Sequence, residues 1–175
     1  MRKLTHEEII ERQIKNGRKP RLPFCVVLNN IRSLHNVGSI FRTADGCGIA
    51  KIYLCGITGF PPQEGISKTA LGAENSVPWE YRKDVIGLLK ELKTKGYQIV
   101  LLEQAHESVA HDAFKPQPPM CLVIGNEITG VADDLSRHCD AVIEIEMEGI
   151  KNSLNVAVAF GVAAYQIRSY FKKSK

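Results

Sequence analysis

Five short runs of apolar residues, separated by stretches of helical pattern, constrain this chain more than any other feature. They are FCVVLN at 24–29, KIYLC at 51–55, YQIVLL at 97–102, MCLVI at 120–124 and a run over 141–146. Most are apolar throughout instead of alternating. A strand of that kind is covered on both faces, as in a parallel sheet, whereas a half-exposed strand alternates. Between the runs, Val85, Leu88, Leu89 and Leu92 fall at helical spacing, with Asp84 as a cap and Gly96 as the stop. Residues 37–46 read as a second helix, capped by Asn36 and ended by Gly46 or Gly48. A weaker helix is expected over 66–71, a short one over 131–138 and a long last one from about 153 to 171. Strands alternating with helices predict an α/β fold, a mostly parallel sheet with helices on both faces. Ligands of such sheets sit beyond the carboxyl ends of the strands.

The first residues stand apart from this pattern. Thr5 and Glu8 have capping-box spacing, Ile9, Ile10 and Ile14 form a stripe, and Gly17 with Pro20 ends the helix. We therefore expect a basic N-terminal helical arm over 1–22 and a domain over 23–175. The net charge of +4 is unevenly spread: residues 1–21 and 168–175 each carry +4, and the segment between them carries −4. Basic ends on a mildly acidic body fit contact with nucleic acid, and equally fit solvated termini.

Some classes are excluded. The longest apolar stretch, Leu154 to Tyr165, is interrupted by Asn155 and falls short of the roughly 20 residues a membrane span needs. The N-terminus has no signal-peptide core. Five widely spaced cysteines with no CxxC pair read as reduced thiols of a cytoplasmic protein. The five histidines show no metal-ligand spacing, so no metal is expected. His106 and His111, with Glu103, Glu107 and Asp112, read as a solvated face. Neither a GxSxG elbow nor a GxGxxG loop is present. Trp79 and Tyr81 are able to stack on a base, although a lone tryptophan more often packs.

Three polar clusters lie where the chain leaves a strand. The first offers Asn29, Asn30, Arg32, His35 and Asn36, then Arg42, which has the spacing to pair with Asp45. In the second, Gly125 and Gly130 bracket a turn around Glu127. The spacing resembles a phosphate loop, but no Lys follows Gly130 and Glu127 would repel phosphate. Such a turn suits a flat or neutral ligand close to the backbone. In the third, Ser153 and Asn155 open an otherwise apolar helix. Capping accounts for Ser153 but not for Asn155.

Taken together, NNIRSLHNVGSIFRTADGCG, LVIGNEITGV and IEIEMEGIKNSLNVAVAFGVAAYQ resemble, in order and spacing, the three motifs of the SpoU/TrmH family of RNA ribose 2′-O-methyltransferases, within the SPOUT superfamily. The similarity covers about residues 24–170. Two departures are visible: Glu146 stands where the third motif usually has proline, and Ala157 where it usually has serine. The resemblance implies a C-terminal trefoil-knotted SPOUT fold, a homodimer with the site built across its interface, S-adenosylmethionine as cofactor, and tRNA or rRNA as substrate. It implies a catalytic set of Asn36, Arg42, Glu127, Ser153 and Asn155. It places Gly125, Ile145 and Leu154 against the cofactor, with Leu54, Cys55, Gly56, Ile124, Asn126 and Met147 near it. A different class, an RNA-binding protein whose SPOUT-like domain has no activity, is the alternative, and the intact catalytic set argues against it.

Overall fold

The structure is a computed structural model and describes residues 1–17, 19–126, 130–131 and 133–173. Among these residues the strands are β1 (Leu22–Asn29), β2 (Ile49–Cys55), β3 (Trp79–Arg82), β4 (Gln98–Leu102), β5 (Val109–Ala110), β6 (Met120–Ile124) and β7 (Ala141–Glu144). The helices are α1 (His6–Asn16), α2 (Leu34–Cys47), α3 (Glu64–Ala70), α4 (Ala73–Ser76), α5 (Val85–Thr94), α6 (Asp133–Ser136) and α7 (Val156–Lys173). The strands form one sheet in the order β3-β2-β1-β6-β4-β7-β5, and each neighbouring pair is parallel.

The pleat of β1 divides the core. Phe24, Val26 and Leu28 point to one face, where Ile40, Phe41 and Ala44 of α2, Ile66 of α3 and Phe160 and Ala163 of α7 cover them. Cys25 and Val27 point to the other, under Leu88, Leu89 and Leu92 of α5 and Leu135 of α6. Both faces of the central strands are therefore dry, as the continuous apolar runs require. All five cysteines are free thiols.

The apolar runs mark β1, β2, β4, β6 and β7 to within two residues at each end. They do not mark β3 or β5. The first is an edge strand whose residues are at most half-buried, and the second is two residues long, so neither needs an apolar run. Two caps also differ from the sequence reading. Ser33, not Asn36, caps α2, accepting the Asn36 N–H at 3.2 Å, so Asn36 lies inside the first turn. Gly48 ends this helix in the left-handed conformation. The last helix starts at Val156 and not at 153, because Asn155 caps it. Asp45 does not pair with Arg42: it accepts from the Ser76 hydroxyl at 2.5 Å and faces Arg21 at 3.7 Å.

The capping box of α1 forms as its spacing predicts, Thr5 and Glu8 exchanging hydrogen bonds of 2.8 and 3.2 Å. Its stripe of Ile9, Ile10 and Ile14 is exposed.

Candidate active site

The carboxyl ends of β6, β4 and β7 open into one pocket of about 270 Å³. Its floor is apolar, from Leu102, Ile124, Ile145, Met147 and Leu154, and its rim is largely polar, from Glu103, Gln104, Asn126, Asn152 and Ser153. Such a mixture suits a ligand with a flat apolar body and a few fixed polar groups.

The turn after β6 shapes one wall. Asn126 and Gly130 exchange backbone hydrogen bonds of 3.1 and 3.0 Å, which pair the two strand-like ends of this segment. Gly130 has a φ of 64°, the left-handed region that glycine enters without steric cost. Gly125 is needed for a different reason. A Cβ there would lie 2.3 Å from Val131 Cγ2 and 2.7 Å from the carbonyl carbon and oxygen of Gly130. The opposite wall is tied to β4: the Gln104 side chain donates to the Asn152 carbonyl at 2.9 Å.

Beside the pocket, two of the sequence clusters meet. Asn155 Nδ2 donates to Asn36 Oδ1 at 3.1 Å, across 119 residues of sequence. The Asn155 Oδ1 accepts the N–H groups of Ala157 and Val158 at 3.0 and 3.4 Å, so the same side chain caps α7. One amide thus serves as a cap and as a fixed link to the first turn of α2. Losing an Asn cap costs about 1 kcal/mol. Asn155→Ala should accordingly lower stability by about that amount, with a fall in turnover larger than the stability change explains. A denaturant titration paired with a turnover assay measures both, and full turnover would remove Asn155 from the site.

A second joint lies at Asn30, whose φ of 61° is one of two positive values among non-glycine residues described. Its carbonyl accepts from Asn126 Nδ2 at 2.9 Å, and its Oδ1 accepts the Ile57 N–H at 3.0 Å. This residue fastens the turn after β6 to the loop after β2.

The structure gathers some of the residues picked from sequence and leaves others apart. Ile124, Gly125, Asn126, Ile145, Met147 and Leu154 line the pocket, as does Ser153. Leu54, Cys55 and Gly56 do not. Leu54 and Cys55 end β2 and Gly56 follows it, and β1 lies between β2 and β6. Leu54 and Cys55 are fully buried, and burial pushes the Cys55 thiol up to about 12, so it stays protonated at neutral pH. Arg42 is exposed on α2 and, among the described residues, has no ion pair. Glu127 lies outside the described residues. Glu103, which reads from sequence as part of a solvated face, lines the pocket together with Leu102, Gln104 and Asn152, which no motif singles out. The rule that ligands sit beyond the carboxyl ends of strands points to 102–104, since those residues follow β4.

Known proteins match this arrangement. The SpoU rRNA Methylase family matches residues 23–165. The chain belongs to that family. Among curated members, a tRNA (guanosine(18)-2′-O)-methyltransferase of Aquifex aeolicus is 32% identical over 164 residues, covering 90% of this chain and 76% of that protein. The crystal structure of an A. aeolicus TrmH/SpoU tRNA modifying enzyme superposes with a TM-score of 0.83 at 28% identity, covering 96% of this chain and 85% of that one. An AdoMet-bound rRNA methyltransferase from Sinorhizobium meliloti superposes at 0.80 and 28% identity, over 87% of this chain and 59% of that one. Against several further curated family members the chain likewise spans 59% of their length. The parallel sheet with helices on both faces is the fold these SpoU structures share.

Proposed function

We infer that this chain is an S-adenosylmethionine-dependent RNA methyltransferase that methylates a ribose 2′-hydroxyl of tRNA or rRNA, with tRNA favoured. The observation that carries this reading is the pocket. Six of the nine positions that the family motifs assign to cofactor line it, and the segment that closes it, 152–155, carries Ser153 and Asn155. The relatives' names support it: one 2′-O-methyltransferase acts on tRNA, and an AdoMet-bound neighbour is an rRNA methyltransferase.

The residues present fit the cofactor. Gly125 leaves a cradle that a Cβ would fill, and the apolar floor suits a flat base. Ile124, Gly125, Asn126, Ile145, Met147 and Leu154 would hold it. S-adenosylmethionine supplies an electrophilic methyl group on a sulfonium sulfur. The chain has to present the ribose oxygen in line with that methyl and to stabilise the charge that develops on the oxygen. Arg42 fits the second task better than that of a base. A guanidinium has five N–H donors and no acceptor, so it donates to a phosphate or to the reacting oxygen and does not take the hydroxyl proton, which passes to water. Asn36 and Asn155, locked to each other, orient the ribose, with Ser153 and Glu127 completing the set.

A second copy of the chain would complete the site. Asn36 and Arg42 are six residues apart, about 600° around a helix of about 3.6 residues per turn, so their side chains diverge by roughly 120°. Arg42 stands one turn before Gly46, where a Cβ would lie 3.1 Å from the Tyr165 hydroxyl of α7. Arg42 therefore borders a stripe of α7 in which Val158, Val162 and Tyr165 are exposed. An apolar stripe of this kind suits a homodimer interface. The basic arms at 12–21 and 168–175 would then contact RNA backbone, in a cytoplasmic protein. Among the described residues no helix is long and apolar enough to cross a membrane, and no group of His, Cys, Asp and Glu is arranged to hold a metal.

The test is incubation with methyl-labelled S-adenosylmethionine and, separately, unmodified tRNA and rRNA. Label that survives alkali at the modified linkage on tRNA is expected. Label on rRNA alone reverses the preference, and bound cofactor and bound RNA without label would favour an RNA-binding protein with no activity.

A further inference from the structure

The loop after β2 holds large apolar side chains outward on a rigid base. Thr58 is buried, at 2% exposure. Its hydroxyl donates to the Leu28 carbonyl at 2.9 Å and accepts the Ile31 N–H at 3.0 Å. The Ile57 N–H is bound to Asn30 Oδ1, and a Cβ on Gly59 would collide with Leu34 at the start of α2. The loop is therefore fastened on both sides to the segment that carries Asn30, Asn36 and Arg42. Even so, Ile57 is 69% exposed and Phe60 41%. The Phe60 ring lies 6.2 Å from that of Trp79, stacked at 28°, and 4.8 Å from that of Tyr81, tilted at 43°. Tyr81 is 37% exposed, and its hydroxyl donates to the Gly56 carbonyl at 2.9 Å. Packing alone would cover such a cluster. Here three rings are clamped in place and two of them keep open surface.

We propose that Phe60 and Tyr81 form a stacking platform for an unpaired base of the substrate RNA, next to the nucleotide whose ribose is methylated. The proposal rests on the reading of the chain as an RNA methyltransferase. Three features favour RNA as occupant. The patch sits at the carboxyl ends of β2 and β3, continuous through Asn30 with the pocket wall at Asn126. Exposed Lys83 follows the end of β3, supplying a cation for a phosphate beside a stacked base. A ring held rigidly before binding loses little entropy when a base settles on it, and aromatic stacking is a main means by which proteins grip single-stranded RNA.

The experiment compares the full-length protein with Phe60→Ala and Phe60→Trp. Binding is measured to a short single-stranded RNA of mixed sequence and to an abasic RNA of the same length, with S-adenosylmethionine affinity measured alongside. Phe60→Ala should weaken binding of the base-containing RNA about tenfold and leave the abasic RNA unchanged. Cofactor affinity should hold, and Phe60→Trp should restore RNA binding. Equal loss on both RNAs, no loss on either, no binding of either by the unaltered protein, or a parallel loss of cofactor affinity would overturn the platform. The two readings separate: a base-dependent loss in a protein that never transfers methyl sinks the enzyme and keeps the platform. Methyl transfer that Phe60→Ala leaves unaltered, with unaltered RNA binding, does the reverse.

Discussion

Arg42→Ala is expected to lower methyl transfer about a hundredfold or more, while S-adenosylmethionine binds with near-normal affinity. The size follows from the role. Removing one donor aimed at a developing oxyanion costs about 10²–10³ in turnover. The selectivity follows from position. Arg42 is exposed on α2 and does not line the pocket, so its loss removes no cofactor contact. Nor should it disturb the fold, because among the described residues it has no ion pair to break. Arg42→Lys separates charge from shape. A lysine keeps the positive charge but not the planar fork that meets two oxygens at once, so it should recover only part of the activity. Single-turnover kinetics with calorimetric cofactor binding measure both quantities. Normal turnover in the alanine variant would remove Arg42 from the chemistry, and a matching loss of cofactor affinity would make it a binding residue instead.

Gly125→Ala is the second large effect, and it should appear in cofactor affinity first. Val131 has a side chain that is able to turn away from the new methyl, but the Gly130 carbonyl, 2.7 Å from where the Cβ would be, is backbone. Relief requires the turn to open, which breaks the paired hydrogen bonds between Asn126 and Gly130 and moves the wall of the pocket. Each hydrogen bond lost or misaligned costs about 0.5–1.5 kcal/mol. Two of them correspond to about tenfold or more in affinity for S-adenosylmethionine. Calorimetry on a variant with unchanged far-ultraviolet circular dichroism isolates this effect. Unchanged affinity would mean that the turn after β6 does not bound the cofactor site.

Both predictions begin from residues visible in the sequence, but for different reasons. Gly125 was legible because a glycine directly after a buried strand and before a polar turn has few other uses. Asn155 was legible because an amide at the head of an apolar helix needs a partner. Its double role is not legible, since its partner Asn36 lies 119 residues away and itself reads as a cap. Ser33, three residues earlier, is the cap, and this frees the Asn36 amide for Asn155. Leu54, Cys55 and Gly56, which the family motifs place near the cofactor, stand apart from this pocket. Those residues do lie at the end of a strand on the ligand side of the sheet, but sequence order says nothing about strand order. With β1 between β2 and β6, they are a strand removed from the pocket wall.

The sequence by itself determined the class of fold and the chemistry. Apolar runs free of polar alternation require a sheet buried on both faces, and three ordered motifs resemble those of the SpoU family. Those are local properties, written in neighbouring residues. The tertiary structure alone decided which of these segments touch. The insertion of β6 between β1 and β4, and of β7 between β4 and β5, brings residues 102–104, 124–126, 145, 147 and 152–154 to one pocket. It also decided that the loop after β2, pinned through Thr58 and Asn30, leaves Phe60 beside Tyr81 at the open end of the sheet. Contacts of this kind depend on the sum of packing over the whole core, to which each residue contributes little, so no short stretch of sequence records them.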